Sequence, residues 1–470
     1  MSDSSNTLSN FQSRIQSRSM GVKLIVVCAL ALVMSIPAFF VDGLVEERTR
    51  RAADVVREIS GHVGGEQSFL GPTLAIPYTI PPQSPTDALY QGIYLVFPAQ
   101  ASGAVKTSTE ERRRSLFKVP VFQADLKLDA SFDLAGVPAT APRGATLDWS
   151  RAEFVVGVSD ARGALADATL TVNGKAATLV PAQIADSISF GADQIQHIRL
   201  ALFGTAASSL AKPDAQFNVS TTLRFSGAQR IAVLAYGKTT HLSVDGDWPS
   251  PGFDGGFLPV NRSVTPHGFS AQWSVPFIAR GVRAEGTPDS ISGIGGTALG
   301  VSFIEVADPY QSVNRALKYD PLFLGMVFLS FFIFEVTTGK RVHPAQYVLV
   351  GVAQVIFYLL LLSFAERIGF DFGFLLAGSA TVLLLSANTR WVFSSLTQAL
   401  RALAIFSLLY GLIYMLLRLE DNALLIGAIA SFLAVAAAMY FTRSIDWYSS
   451  IPTNDASGRR TPSIVPPDPS

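Results

Sequence analysis

Apolar residues are distributed very unevenly along this chain. One long apolar run, residues 24–41, comes near the start, residues 42–320 contain nothing comparable, and from Pro321 onward apolar runs crowd the sequence. A membrane-spanning helix needs about 20 mostly apolar residues. Six segments approach that length: residues 22–41, 322–338, 347–364, 370–387, 402–417 and 423–442. The layout predicts a membrane protein with an α-helical bundle of six spans and one large extramembrane region.

Between the first and second spans the period of the pattern changes. Residues 42–60 keep helical spacing, with Val45, Ala52, Val55, Val56 and Ile59 largely on one face. Glu46 with Arg50 and Glu47 with Arg51 stand four apart in the favourable order, so the first helix is predicted to run on beyond the membrane. From about Gly71 the period becomes two. Along residues 124–134, Leu126, Leu128, Ala130 and Phe132 share one face, and Lys127, Asp129 and Ser131 the other. Residues 153–158, 217–225 and 242–247 read as further strands. Asn173-Gly174 is predicted to turn a hairpin between residues 169–172 and 176–179. Many short strands with turn signals predict a large β-rich, sandwich-like domain, and its length allows two subdomains. A helix over residues 309–318 leads back to the membrane. Residues 1–12 and 452–470 are polar or rich in Pro and Ser and are expected to be disordered.

Composition fits this division. The chain is 49% hydrophobic and only 15% charged, against roughly 25% charged in soluble proteins. Lys+Arg and Asp+Glu balance at 36 each, so no basic domain points to a nucleic-acid partner. Cys28, the one cysteine, sits in the first apolar run, so the β-rich domain can hold neither a disulfide nor a thiolate zinc site. That first run is longer than a signal-peptide core and lacks a small-residue cleavage site, and therefore reads as an uncleaved signal anchor. Basic residues in short loops mark the cytoplasmic side. Lys340, Arg341, Arg390, Arg401, Arg443, Arg459 and Arg460 fall on the side of the N-terminus, while Glu366, Glu420 and Asp421 balance Arg367 and Arg418 in the opposite turns. Both termini are thus expected inside and the β-rich domain outside, which in a bacterium means the cytoplasm and the periplasm, and in a cell without a periplasm the outer face. The predicted organisation is a cytoplasmic N-terminus (1–21), a signal anchor (22–41), a periplasmic β-rich domain with helical entry and exit (42–320), five further transmembrane helices (321–442) and a cytoplasmic tail (443–470).

Candidate chemistry is sparse. His62, His197, His241, His267 and His343 form no metal-ligand spacing, and neither a nucleophile elbow nor a phosphate-binding loop is present. No cofactor or metal is expected. Asp160-Ala161-Arg162-Gly163 reads as a turn in which Asp160 accepts backbone N–H groups and Arg162 pairs nearby. Gln354 is a polar residue within a span, suited to bonding across helices. The most distinctive stretch joins the second and third spans: Phe334-Glu335, Arg341, His343-Pro344, Gln346-Tyr347, Gly351, then Tyr358 through Ser363 to Glu366. It gathers an acid, a base and an imidazole around one short loop, where Glu335 could pair with Arg341 or His343. Pro344 suits the first turn of the following helix.

That stretch resembles the CreD family of bacterial inner-membrane proteins. Leu70-Gly71-Pro72 with Ala75-Ile76-Pro77, the Asp160–Gly163 turn, Trp248-Pro249, Phe257-Leu258-Pro259, Gly268-Phe269 with Trp273, and Asp446-Trp447-Tyr448 extend the resemblance over roughly residues 20–450. It implies a role in cell-envelope integrity, colicin tolerance and envelope-stress or β-lactam responses under the CreBC two-component system. It supplies no catalytic residues. The combined expectation is a non-enzymatic periplasmic scaffold, binding or sensor module, with the lipid bilayer and an unidentified periplasmic or membrane component as partners. A transporter or flippase-like protein and an envelope-modifying enzyme are the alternatives.

Overall fold

The computed structural model describes residues 20–82, 89–114, 117–190, 198–303, 309–338, 340, 342–418 and 423–443. The chain divides into two compact units. One comprises residues up to Thr49 together with those from Ala307 onward, and the other is Arg50–Val306.

Two sheets build the β-rich unit. Among the described residues, eight strands follow the order Asn261–Thr265, Gly268–Val275, Thr239–Gly246, Gln100–Arg114, Phe117–Asp133, Gln216–Ala228, Thr169–Val172 and Lys175–Thr178. The eleven-stranded sheet is centred on Gln67–Ile80, flanked by Glu153–Val158 and Arg230–Leu234. The alternation read from residues 124–134 is realised: Leu126, Leu128, Ala130 and Phe132 are buried while Lys127 and Ser131 face outward. Asn173 and Gly174 take φ of 45° and 84°, and Val172 pairs with Lys175, the geometry of a two-residue type I′ turn. The second strand therefore starts at Lys175, one residue earlier than its apolar pattern indicates.

Both sheets feed one core. Phe132 of the smaller sheet lies 5.9 Å from Phe154 of the larger one, and Phe69 lies 5.2 Å from Phe225 edge to face. Although its length allows two subdomains, this region forms one compact unit whose main core draws on both sheets. Tyr236, fully buried, donates towards the carbonyls of Ser102 and Asp129, each at 2.9 Å. Its ring fills the space beside Gly71, where a Cβ would come within 2.6 Å of it.

Seven α-helices of eight or more residues are described: α1 (Met20–Val63), α2 (Pro309–Lys318), α3 (Asp320–Thr338), α4 (Pro344–Ile368), α5 (Phe370–Phe393), α6 (Leu396–Arg418) and α7 (Ala423–Thr442). Of these, α1, α3, α4, α5 and α6 are long and apolar enough to cross a membrane, while the apolar stretch counted within α7, Gly427–Ala437, is shorter. α1 is one unbroken helix, so the apolar run and the predicted extension form a single rod. Its Val27, Val41 and Val45 are buried, while Ile25, Leu32, Ile36, Phe39 and Phe40 lie exposed on other faces, as does Cys28. Exposed Leu349, Ile356, Leu375 and Leu383 extend this apolar exterior over α4 and α5. The interior is aromatic, with Tyr410 of α6 within 5.0 Å of the rings of Phe323 and Phe357. Several helices outrun their apolar cores because the chain caps them. His343 Nδ1 accepts from Ala345 N at 3.2 Å with Pro344 in the first turn, and Gly369 at φ 84° separates α4 from α5.

Candidate functional site

Among the described carboxylates of the helical unit, Glu335 is the most completely enclosed, at 1% exposure. It stands one turn before the end of α3, and the chain turns back at once into α4. That reversal brings three donors to it. Lys23 of α1 forms an ion pair with Oε1, Val342 N donates to the same oxygen at 2.8 Å, and Tyr347 Oη donates to Oε2 at 3.0 Å. A buried carboxylate needs such partners, since desolvation of an unpaired charge is costly. Phe328 and Phe331 of α3 hold the Tyr347 ring, with centroids 5.7 and 6.3 Å away. The expectation that His343 or Arg341 pairs with Glu335 is corrected in part. His343 is occupied as the cap of α4, and Arg341 lies outside the described residues. The partner is Lys23, 312 residues earlier in the chain.

The remaining sequence-predicted residues do not all join this cluster. Pro344 and Gln346 lie in the first turn of α4, where Gln346 N donates to His343 O at 2.9 Å. Glu366 lies at the opposite end of α4, about 28 Å from Tyr347 along the helix at roughly 1.5 Å per residue. There it accepts from Tyr310 Oη of α2 at 3.1 Å, and Arg48 Nε of α1 stands 3.9 Å away. Glu335 and Glu366 thus each meet α1, at opposite ends of α4.

A second polar group lies deeper in the bundle. α3 begins at Asp320, not Leu322, so this acid belongs to the apolar helix and is 3% exposed. Tyr358 of α4 faces its carboxyl group. Gln354, one turn earlier, accepts from Tyr410 Oη of α6 at 3.0 Å, the cross-helix bond that its position predicts. Tyr410 also lines an apolar groove of about 680 Å³ between α5 and α6, with Asp371, Leu375, Gly378 and Tyr414 among its walls. Asp371 pairs with Arg418 and accepts from Tyr414 Oη at 3.1 Å.

In the β-rich unit, Asp160 Oδ1 accepts from Arg162 N at 3.0 Å and its carboxylate is gripped by the Arg162 guanidinium. The Arg162 hydrogen bonds hold the Asp160 carboxyl below the ordinary carboxylate range. The turn is locked from beneath, since a Cβ at Gly163 would lie 2.3 Å from Ser226 O, and Gln67 Nε2 donates to Asp160 O at 3.0 Å. Trp248 packs edge to face on Phe303 at 6.3 Å. Pro259 lies in the segment leading to the edge strand Asn261–Thr265, next to Phe257, whose carbonyl accepts from Trp273 Nε1 at 2.9 Å. Asp446 and Trp447 lie outside the described residues. Arg280, 3% exposed, sits 4.3 Å over the Phe97 ring, and burial pushes its guanidinium down to about 10. No group of three or more potential metal ligands converges among the described residues.

Sequence reasoning missed Lys23 and Arg48 as partners and Asp320 as a buried acid. Lys23 reads as an ordinary basic flank, although its place at one end of α1 matches the place of Glu335 near one end of α3. A window that seeks apolar residues trims Asp320 away.

Comparison with known proteins gives one consistent result. A family model described as Inner membrane protein CreD matches residues 19–448. The Inner membrane protein CreD of Escherichia coli (strain K12) is 30% identical over 433 residues, covering 91% of this chain and 93% of that protein.

Proposed function

The chain belongs to the CreD family of inner membrane proteins, and from that premise we propose that it supports the cell envelope as a non-enzymatic scaffold, binding or sensor module. In this reading six helices cross the membrane, both termini are cytoplasmic, and the β-rich unit stands in the periplasm as a two-sheet sandwich. The short loops support that orientation, with Lys23, Lys340, Arg390 and Arg443 toward one side and Asp320, Glu366 and Asp371 toward the other.

One observation carries the reading. α1 begins in the helical unit, where Lys23 and Arg48 meet Glu335 and Glu366, and continues without a break to Val63. There Val56, Ile59 and Val63 pack with Val119, Val121 and Ala228 of the β-rich unit. α1 therefore has side-chain partners in each of the two units. The part offered to a partner is the edge strand Asn261–Thr265, whose five residues are all exposed, with exposed Leu258 and Val260 just before it. Such an edge presents unpaired backbone groups to an added strand.

A photo-crosslinking residue at Val264 in the full-length chain, expressed in cells, tests this. Reproducible capture of a protein, lost when Leu258 and Val260 are made polar, is the expected result. Absence of any capture above background opposes the binding reading. Capture of lipid alone favours a second reading, a transporter or flippase-like protein, for which the groove between α5 and α6 is the supporting observation.

A further inference from the structure

We propose that the helical unit contains a proton-binding site, the carboxyl group of Asp320, set among Tyr358, Tyr410 and Gln354 and reached from the groove between α5 and α6. The argument starts from burial. Asp320 is 3% exposed, and among the described residues no lysine, arginine or histidine pairs with it. The titratable groups that face it are the Tyr358 phenol of α4 and the Tyr410 phenol of α6. A carboxylate held there without a counter-ion would bear its full desolvation cost, and such groups take up a proton instead.

The polar atoms around the acid carry no charge to offset its own. Asp320 Oδ2, Tyr358 Oη and Gln354 Nε2 are buried and have no hydrogen-bond partner among the described residues. The Tyr358 hydroxyl can donate to Oδ2 in either state of the acid, so what a proton on Asp320 adds is the neutralisation that no counter-ion supplies. The carboxyl becomes neutral and the phenol keeps its own proton. Glu335 shows the contrast within the same helix, since it is equally enclosed but neutralised by Lys23. The proposed route runs past Tyr410. This residue belongs to the groove wall and also donates to Gln354, which lies one helical turn from Tyr358 on α4. A proton leaving Asp320 exposes a charge that the packed site cannot hold, so release requires α3, α4 and α6 to part or water to enter.

Infrared difference spectroscopy of the full-length protein in lipid nanodiscs tests the site. The expected spectrum at neutral pH contains the C=O stretch of a protonated carboxyl that shifts in D₂O and is lost in Asp320→Asn. Tyr358→Phe should retain the band at a shifted frequency, because the acid has lost the neighbouring hydroxyl. If Asp320→Asn fails to fold, Asp320→Glu serves, with a moved band supporting the assignment and an unmoved one overturning it. A wild-type spectrum with no such band overturns the proposal. So does a thermal midpoint that rises with sodium or potassium in the wild type but not in Asp320→Asn, since the carboxylate would then hold a metal cation.

Discussion

Removing both charges of the Lys23–Glu335 pair should cost less than the two single removals added together. Lys23→Met leaves Glu335, 1% exposed, with two neutral donors, Val342 N and Tyr347 Oη. Breaking a wholly buried pair costs about 3–5 kcal/mol. The two remaining hydrogen bonds and the 23% exposure of Lys23 bring this variant to about 2 kcal/mol. Glu335→Gln strands the ammonium group and offers its own N–H₂ where a donor already points, for about 3 kcal/mol. The double variant contains no lone charge and should also cost about 3 kcal/mol, giving a coupling of about 2 kcal/mol. Reversible unfolding of the purified full-length protein in mixed micelles, followed by tryptophan fluorescence, measures all four corners. If the single costs add to within about 0.5 kcal/mol, the two side chains do not interact and the clamp on α1 is wrong. In cells, Glu335→Gln should lower protein abundance or alter the envelope phenotype, and normal levels with a normal phenotype would count against a role for the cluster.

Three further outcomes follow from packing and charge. Gly351 has no room for a side chain, because a Cβ there would come within 2.6 Å of Met34 on α1. Gly351→Leu should therefore destabilise the helical unit by about 1–3 kcal/mol, and Met34→Ala should recover part of it, as read by thermal unfolding in nanodiscs. Gly71→Ala drives a methyl group into the Tyr236 ring and should cost about 1–3 kcal/mol in the β-rich unit, visible as faster proteolysis there. Asp160 is held below its ordinary value of about 3.9, so the stability it contributes is present above that pH and is lost as pH falls through its lower folded value. Asp160→Asn should lower stability by about 1 kcal/mol at neutral pH and flatten the acid limb of the pH profile measured by thermal denaturation.

Local pattern carried the β-rich unit a long way. The inward face of Leu126, Leu128, Ala130 and Phe132, the Asn173-Gly174 turn and the Asp160–Arg162 turn depend on neighbours in sequence, and all three were legible there. The unbroken α1 was legible for the same reason, since helical spacing persists past its apolar part. The candidate site was only half visible. Glu335 and Tyr347 stood out, but hydropathy treats each span alone and cannot pair residues 312 positions apart. Proximity in sequence offers Arg341 or His343 to Glu335, whereas His343 Nδ1 caps the next helix. Helix ends were misjudged wherever polar capping residues extend an apolar core, and Asp320 was lost for that reason.

The separation between Lys23 and Glu335 also imposes an order on biogenesis. At roughly 5–20 residues per second, the ribosome needs about 15–60 s to make the 312 residues between them. During that interval α1 is without its helical neighbours, and the whole sequence of the β-rich unit is synthesised before the ion pair can form. Insertion of α3 delivers Glu335, so the ion pair closes late in synthesis. A nascent chain that stalls before α3 therefore keeps Lys23 without the carboxylate that neutralises it.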